Sequence, residues 1–161
     1  MNLVEKEIKI NDQTLVLTNQ RALFWKQASA LVLSDLHLEN TEKKKKNGLP
    51  AELIEGDLKR LSNLIQHFEA EQIIIVGDFL HAGKNSELEI FKEWKSQIPT
   101  LKIILVKGNH DRISNQNLMD LGISEIHDLY EKENLTFSHE EIKTSDSFII
   151  SGHLHPGINL K

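Results

Sequence analysis

Residues Ile73-Ile74-Ile75-Val76 run directly into Gly77-Asp78. Four consecutive β-branched side chains crowd the preceding turn of a helix and pack well on a pleated surface. Short, wholly apolar and bounded by Gly and Asp, the run reads as a strand buried on both faces. In open α/β sheets, ligands and reactive groups gather just past the carboxyl ends of such strands. Asp78 therefore marks the place where chemistry is expected.

The same form recurs along the chain. Ala30–Leu33 runs into Ser34-Asp35-Leu36-His37, and Leu101–Val106 runs into Lys107-Gly108-Asn109-His110-Asp111. Leu135–Ser138 is followed by His139, and Phe148–Ser151 by Gly152-His153-Leu154-His155. Helical spacing of Leu53, Ile54, Leu58, Leu61, Leu64, Ile65 and Phe68 predicts an amphipathic crossover helix over 52–69. A second helix carries Leu88, Phe91, Trp94 and Ile98 and stops at Pro99. Alternating strands and helices imply parallel neighbours whose carboxyl ends share one sheet edge. Before them, Ile8–Ile10 and Leu15–Leu17 around Asn11-Asp12-Gln13 read as a β-hairpin, and Leu23-Phe24-Trp25 as a patch covering a sheet edge. A short helix closing at Gly122 and a strand over Ile126–Leu129 complete the pattern. The polar stretch 39–50, with Lys43 to Lys46, is expected to be an exposed loop or short helix. Its lysines suit a solvated surface or a phosphate-steering patch.

With 161 residues, 39% of them hydrophobic and 27% charged, the chain suits one soluble globular domain. It holds no apolar run of membrane-spanning length and no leader-like N-terminus, so a cytoplasmic location is expected. The absence of Cys removes disulfides, thiolate metal sites and cysteine nucleophiles. A net charge of −5 argues against a broad nucleic-acid-binding surface and leaves room only for a local basic patch.

The polar groups at the strand ends all offer nitrogen or oxygen to a metal: Asp35, His37, Asp78, Asn109, His110, His139, His153 and His155. Imidazole, carboxylate and amide oxygen without thiolate suit Mn²⁺, Fe, Zn²⁺ or Ni²⁺. The spacings Asp-x-His and His-x-His place each pair on one side of an extended segment. So many candidate ligands exceed what one ion needs, so two ions sharing a carboxylate are expected, with Asp78 as the bridge. Two metals about 3.5 to 4 Å apart can clamp the attacking and leaving oxygens of a phosphoryl displacement.

Taken together, Asp35-Leu36-His37, Gly77-Asp78, Gly108-Asn109-His110-Asp111, His139 and Gly152-His153-Leu154-His155 resemble the motif blocks of the calcineurin-like metallophosphoesterases, in that family's order. The resemblance implies an α/β fold, a four-layer β-sandwich flanked by helices, with a dinuclear metal site at the strand ends. It assigns Asp35, His37 and His155 to one ion, Asn109, His139 and His153 to the other, and Asp78 to both. Mn²⁺ is the expected metal. His110 would face the substrate as acid or phosphate ligand, Asp111 would orient its imidazole, and hydroxide activated by the two ions would attack. More narrowly, Leu33–Leu38, Gly48-Leu49-Pro50, Gly77–His81 and Gly152–Gly157 resemble the bacterial ligase-associated DNA-damage-response endonucleases, the PdeM group. That resemblance implies action on nucleic acid in DNA repair, with a DNA ligase and a helicase as partners. It also implies further strands past the last block, so residues 1–161 are expected to form a single domain lacking the last strands of its second sheet.

His81, close behind Asp78, and Arg112, behind the Gly108 block, are candidate substrate contacts. His67 and His127 read as surface or packing residues. The expected activity is a metal-dependent phosphodiesterase or nuclease. A phosphatase or small-nucleotide hydrolase would use the same ligands, and a partner-binding scaffold would keep the fold without catalysis. No membrane association is expected, and the oligomeric state stays open.

Overall fold

The computed structural model describes residues 2–34, 36, 51–79, 85–143 and 147–152, with backbone alone over 51–55 and 85–87. The expectation for 39–50 lies outside these residues. Among the described residues, ten strands form two sheets, one of seven strands in the order β1 to β7 and one of three in the order β10-β9-β8. The first sheet opens with the predicted hairpin, β1 (Glu5–Ile10) and β2 (Gln13–Thr18), paired antiparallel. Then come β3 (Leu23–Trp25) and β4 (Ala30–Leu33). Leu23-Phe24-Trp25 is thus an inner strand between β2 and β4, not an edge cover.

From β4 onward the sheet is parallel. β5 (Gln72–Val76) lies between β4 and β6 (Lys102–Val106), with Ile73 opposite Leu31 and Ile103, and Ile75 opposite Leu33 and Leu105. The crossovers are α1 (Ala51–Phe68) and α2 (Asn85–Ser96). A short α3 (Asn115–Asp120), capped by Ser114, leads to the last parallel strand, β7 (Glu125–His127). α3 is capped by Leu121, and Gly122, expected as the cap, follows one residue later at φ 93°.

The uninterrupted apolar runs follow from the layers on either side. Leu31, Leu33, Ile73, Ile75, Ile103 and Leu105 pack with Leu58, Leu61 and Leu64 of α1 and Phe91 and Trp94 of α2. The alternate residues Val32, Ile74, Val76, Ile104 and Val106 pack with Leu135 and Phe137 of the second sheet. A strand covered on both faces has no position for a polar side chain until it ends.

At Asp128 the chain leaves the first sheet. The strand expected over Ile126–Leu129 is in fact two, β7 and β8 (Leu129–Lys132), belonging to different sheets. β8 and β9 (Leu135–Ser138) form a hairpin whose turn residues, Glu133 and Asn134, both have positive φ. β10 (Phe148–Ser151) then pairs parallel with β9. Helices cover one face of the large sheet and the small sheet covers the other, so the ends of β4, β5 and β6 lie along a single edge.

Candidate metal centre

β5 ends in two residues with left-handed backbone, Gly77 at φ 79° and Asp78 at φ 50°. This turns the chain sharply out of the sheet. The conformation costs a side-chain-bearing residue about 1 to 2 kcal/mol, a strain typically found at functional sites. Asp78 is nevertheless only 3% exposed. Its Oδ1 accepts a hydrogen bond from the backbone N–H of His110 at 3.3 Å.

The second buried polar group arrives from the other sheet. His139 follows β9, is 3% exposed, and places Nε2 3.5 Å from Asp78 Oδ1. Its Nδ1 lies 3.5 Å from the carbonyl oxygen of Val76. That contact sets the imidazole so that Nε2 faces the carboxylate. A side chain at position 77 has no room, because a Cβ built on Gly77 would stand 1.9 Å from His139 Nδ1.

The loop after β6 supplies the third element. Gly108 packs face-on against Asp78, and a Cβ there would stand 2.4 Å from Asp78 Oδ1. Asp111 is buried, and its Oδ2 accepts the N–H of Gly108 at 2.8 Å. Asn109 and His110 are exposed at the tip of this loop. A cleft of about 430 Å³ opens beside it, lined by Asn109, Asp111 and His139 together with Lys107, Asp128 and Glu140.

The structure thus brings Asp78, Asn109, His110, Asp111 and His139 to one place. Arg112 is exposed just beyond, its N–H on the His110 carbonyl at 2.8 Å. Asp35, His37, His81, His153 and His155 lie outside the described residues. The segments leading to them do converge: Ser34, Val76 and Ser151, at the ends of β4, β5 and β10, line a common cavity of about 230 Å³. Sequence reasoning passed over Lys107, Asp128 and Glu140, although Lys107 immediately precedes a motif block. The Val76 carbonyl carries no side-chain signal at all.

The described donors fit a divalent ion. Two ligands bonded to one metal at about 2.0 to 2.2 Å stand roughly 3.0 to 3.5 Å apart in tetrahedral or octahedral geometry. Asp78 Oδ1 and His139 Nε2, at 3.5 Å, lie at the upper end of that range. Among the described residues no three His, Asp or Glu side chains cluster at a metal-binding distance.

A layered fold, a strand-end carboxylate and a buried imidazole from the second sheet define a class of hydrolase. Residues 28–155 match the family model of the calcineurin-like phosphoesterases, and the chain belongs to that family. Its members are phosphoric ester hydrolases that use divalent metal ions. Among solved structures, the chain is similar to the nuclease MPE of Pseudomonas putida, with 28% identity and a TM-score of 0.81 over 95% of this chain and 74% of that one. A protein of unknown function from Aquifex aeolicus, AQ665, aligns at 25% identity over 71% of this chain and 61% of that one, with a TM-score of 0.45. No curated protein matches the chain.

Proposed function

We propose that the chain is a phosphodiesterase acting on nucleic acid, with two divalent ions, Mn²⁺ foremost, at the carboxyl edge of its parallel strands. The observation that carries this is the buried Asp78–His139 pair, drawn from two sheets and closed from a third side by the Gly108–Asp111 loop. A buried carboxylate is costly unless it is paired or holds a cation. The nuclease MPE supports the choice of a diester over a monoester.

Asp78, Asn109 and His139 would hold one ion. Asp35, His37, His153 and His155 would complete the centre, with Asp78 shared. When bound, the ions supply Lewis acidity toward a phosphoryl oxygen and lower the pKa of water. The chain does the rest. Val76 fixes the imidazole of His139. The exposed His110 stands beside Asn109, where it can contribute a proton to the departing oxygen or steady the phosphate. Arg112 and His81 are the proposed substrate contacts. With net charge −5, affinity for a polymer would come from a local patch or from a partner such as a ligase or helicase rather than from the whole surface. A DNA-repair role and a cytoplasmic site of action follow from the same reading.

The test is hydrolysis of bis-p-nitrophenyl phosphate, p-nitrophenyl phosphate and single-stranded DNA with Mn²⁺, beside Asp78→Ala. Diester and DNA cleavage that disappear in the variant are expected. Turnover of the monoester alone would make the protein a phosphatase, and metal binding without any turnover would favour a scaffold.

A further inference from the structure

We propose that Asp111 is a positioning residue that works through the backbone of its loop, delivering Asn109 and His110 together. The inference rests on the metal-centre reading above and concerns which atoms Asp111 acts on. Its carboxylate Oδ2 accepts the Gly108 N–H at 2.8 Å, and its own N–H donates to the Gly108 carbonyl at 3.1 Å. The two bonds close residues 108–111 into a ring, a local side-chain-to-backbone arrangement that short carboxylates favour. That ring is laid on Asp78 by the His110 N–H at 3.3 Å and by the close approach of Gly108. Both outer ends are tied as well. The Lys107 N–H donates to the His127 carbonyl at 2.8 Å, and Ser114 caps α3 through the Asn117 N–H at 3.2 Å.

Between those anchors, the carboxylate of Asp111 braces the exposed tip from within the loop, and that of Asp78 holds it from outside. The contact from His110 to Asp78 is made by the backbone, so it survives any substitution of the His110 side chain. Asp111 therefore controls a metal ligand, Asn109, independently of the imidazole beside it. Losing a partner outside the coordination sphere weakens metal binding by roughly 10- to 100-fold, and Asp111→Ala falls within that range.

The experiment places Asp111→Ala and Asp111→Asn in the unsubstituted chain and in His110→Ala. Mn²⁺ affinity is measured by calorimetry, and amide hydrogen exchange at Gly108 is followed by NMR without metal. Asp111→Ala is expected to weaken Mn²⁺ binding about tenfold in both backgrounds and to speed exchange at Gly108. Asp111→Asn keeps an oxygen for the Gly108 N–H and should stay near the unsubstituted values. Unchanged exchange in Asp111→Ala overturns the proposal. So does a loss of affinity that vanishes in His110→Ala, since Asp111 would then act only through the imidazole. If the alanine variant does not fold, the asparagine variant decides: a folded protein that loses Mn²⁺ and Gly108 protection overturns the loop brace. An unsubstituted chain that binds no Mn²⁺ sinks the metal-centre reading, and the exchange data then judge the loop by themselves.

Discussion

The molecule contains the same chemical pair, carboxylate and imidazole, in contrasting surroundings. Asp78 and His139 meet at 3.5 Å with side chains 4% and 3% exposed. Glu125 and His127, on the outer strand β7, meet at 3.0 Å with side chains 37% and 34% exposed. The closer contact belongs to the surface pair. Distance alone would rank them wrongly, because water already serves both partners of an exposed pair and little is gained by joining them. A buried pair has given up that water, and the environment must supply a replacement. Surroundings, more than proximity, separate a candidate metal site from an ordinary surface contact.

Replacement of Asp78 is the hardest blow to that contrast. Asp78→Ala should abolish measurable Mn²⁺ binding and diester hydrolysis, exceeding the roughly 100-fold loss expected for a residue outside the coordination sphere. Calorimetry and initial rates check it, and retained metal binding would remove the basis for treating the buried pair as a ligand pair. Next in size is Gly77→Ala. It meets both a φ of 79° and a 1.9 Å overlap with His139, so the imidazole must move. At least a tenfold loss of Mn²⁺ affinity is expected, in line with disturbance of a ligand's orientation. Third, Mn²⁺ at about 100 times its Kd should stabilise the fold by about 2.7 kcal/mol. The rise in Tm should be reversed by EDTA and absent in Asp78→Ala.

The surface pair should barely respond. Glu125→Gln is expected to change stability by no more than about 0.5 kcal/mol and to leave Mn²⁺ affinity untouched. Its pH dependence has a defined sign. Hydrogen bonds from Lys102 and then His127 hold the Glu125 carboxyl below its ordinary value of 4.5. A depressed carboxylate stabilises the fold above the unfolded pKa and loses that contribution as pH falls through the folded one. The small deficit of Glu125→Gln at pH 7 should therefore fade below about pH 4.5 in urea melts. A deficit that grows on acidification would contradict the assignment.

Much of the contrast was legible in the sequence because burial on two faces writes itself as an unbroken apolar run. Ile73–Val76 announced its own depth, and the first polar residues after it had to lie at a strand end. Three-residue segments carry no such signal. Leu23-Phe24-Trp25 could be an edge cover or an inner strand, and only pairing to both neighbours settled it. β8 was absorbed into β7 because Leu129-Tyr130-Glu131-Lys132 is mostly exposed and shows little alternation. Of the candidate side chains, Asp78, Asn109, His110, Asp111 and His139 stand together, but the backbone contacts around them leave no trace in the sequence. Neither the Val76 carbonyl behind His139 nor the Asp111 bond to Gly108 follows from residue type.

The departure of the chain from the first sheet at Asp128 has a consequence for assembly. Asp78 follows β5 of the first sheet and His139 follows β9 of the second, so the pair needs both sheets formed and docked. The first sheet by itself holds a carboxylate without its imidazole. The buried carboxylate–imidazole contact is therefore a mark that both sheets are in place.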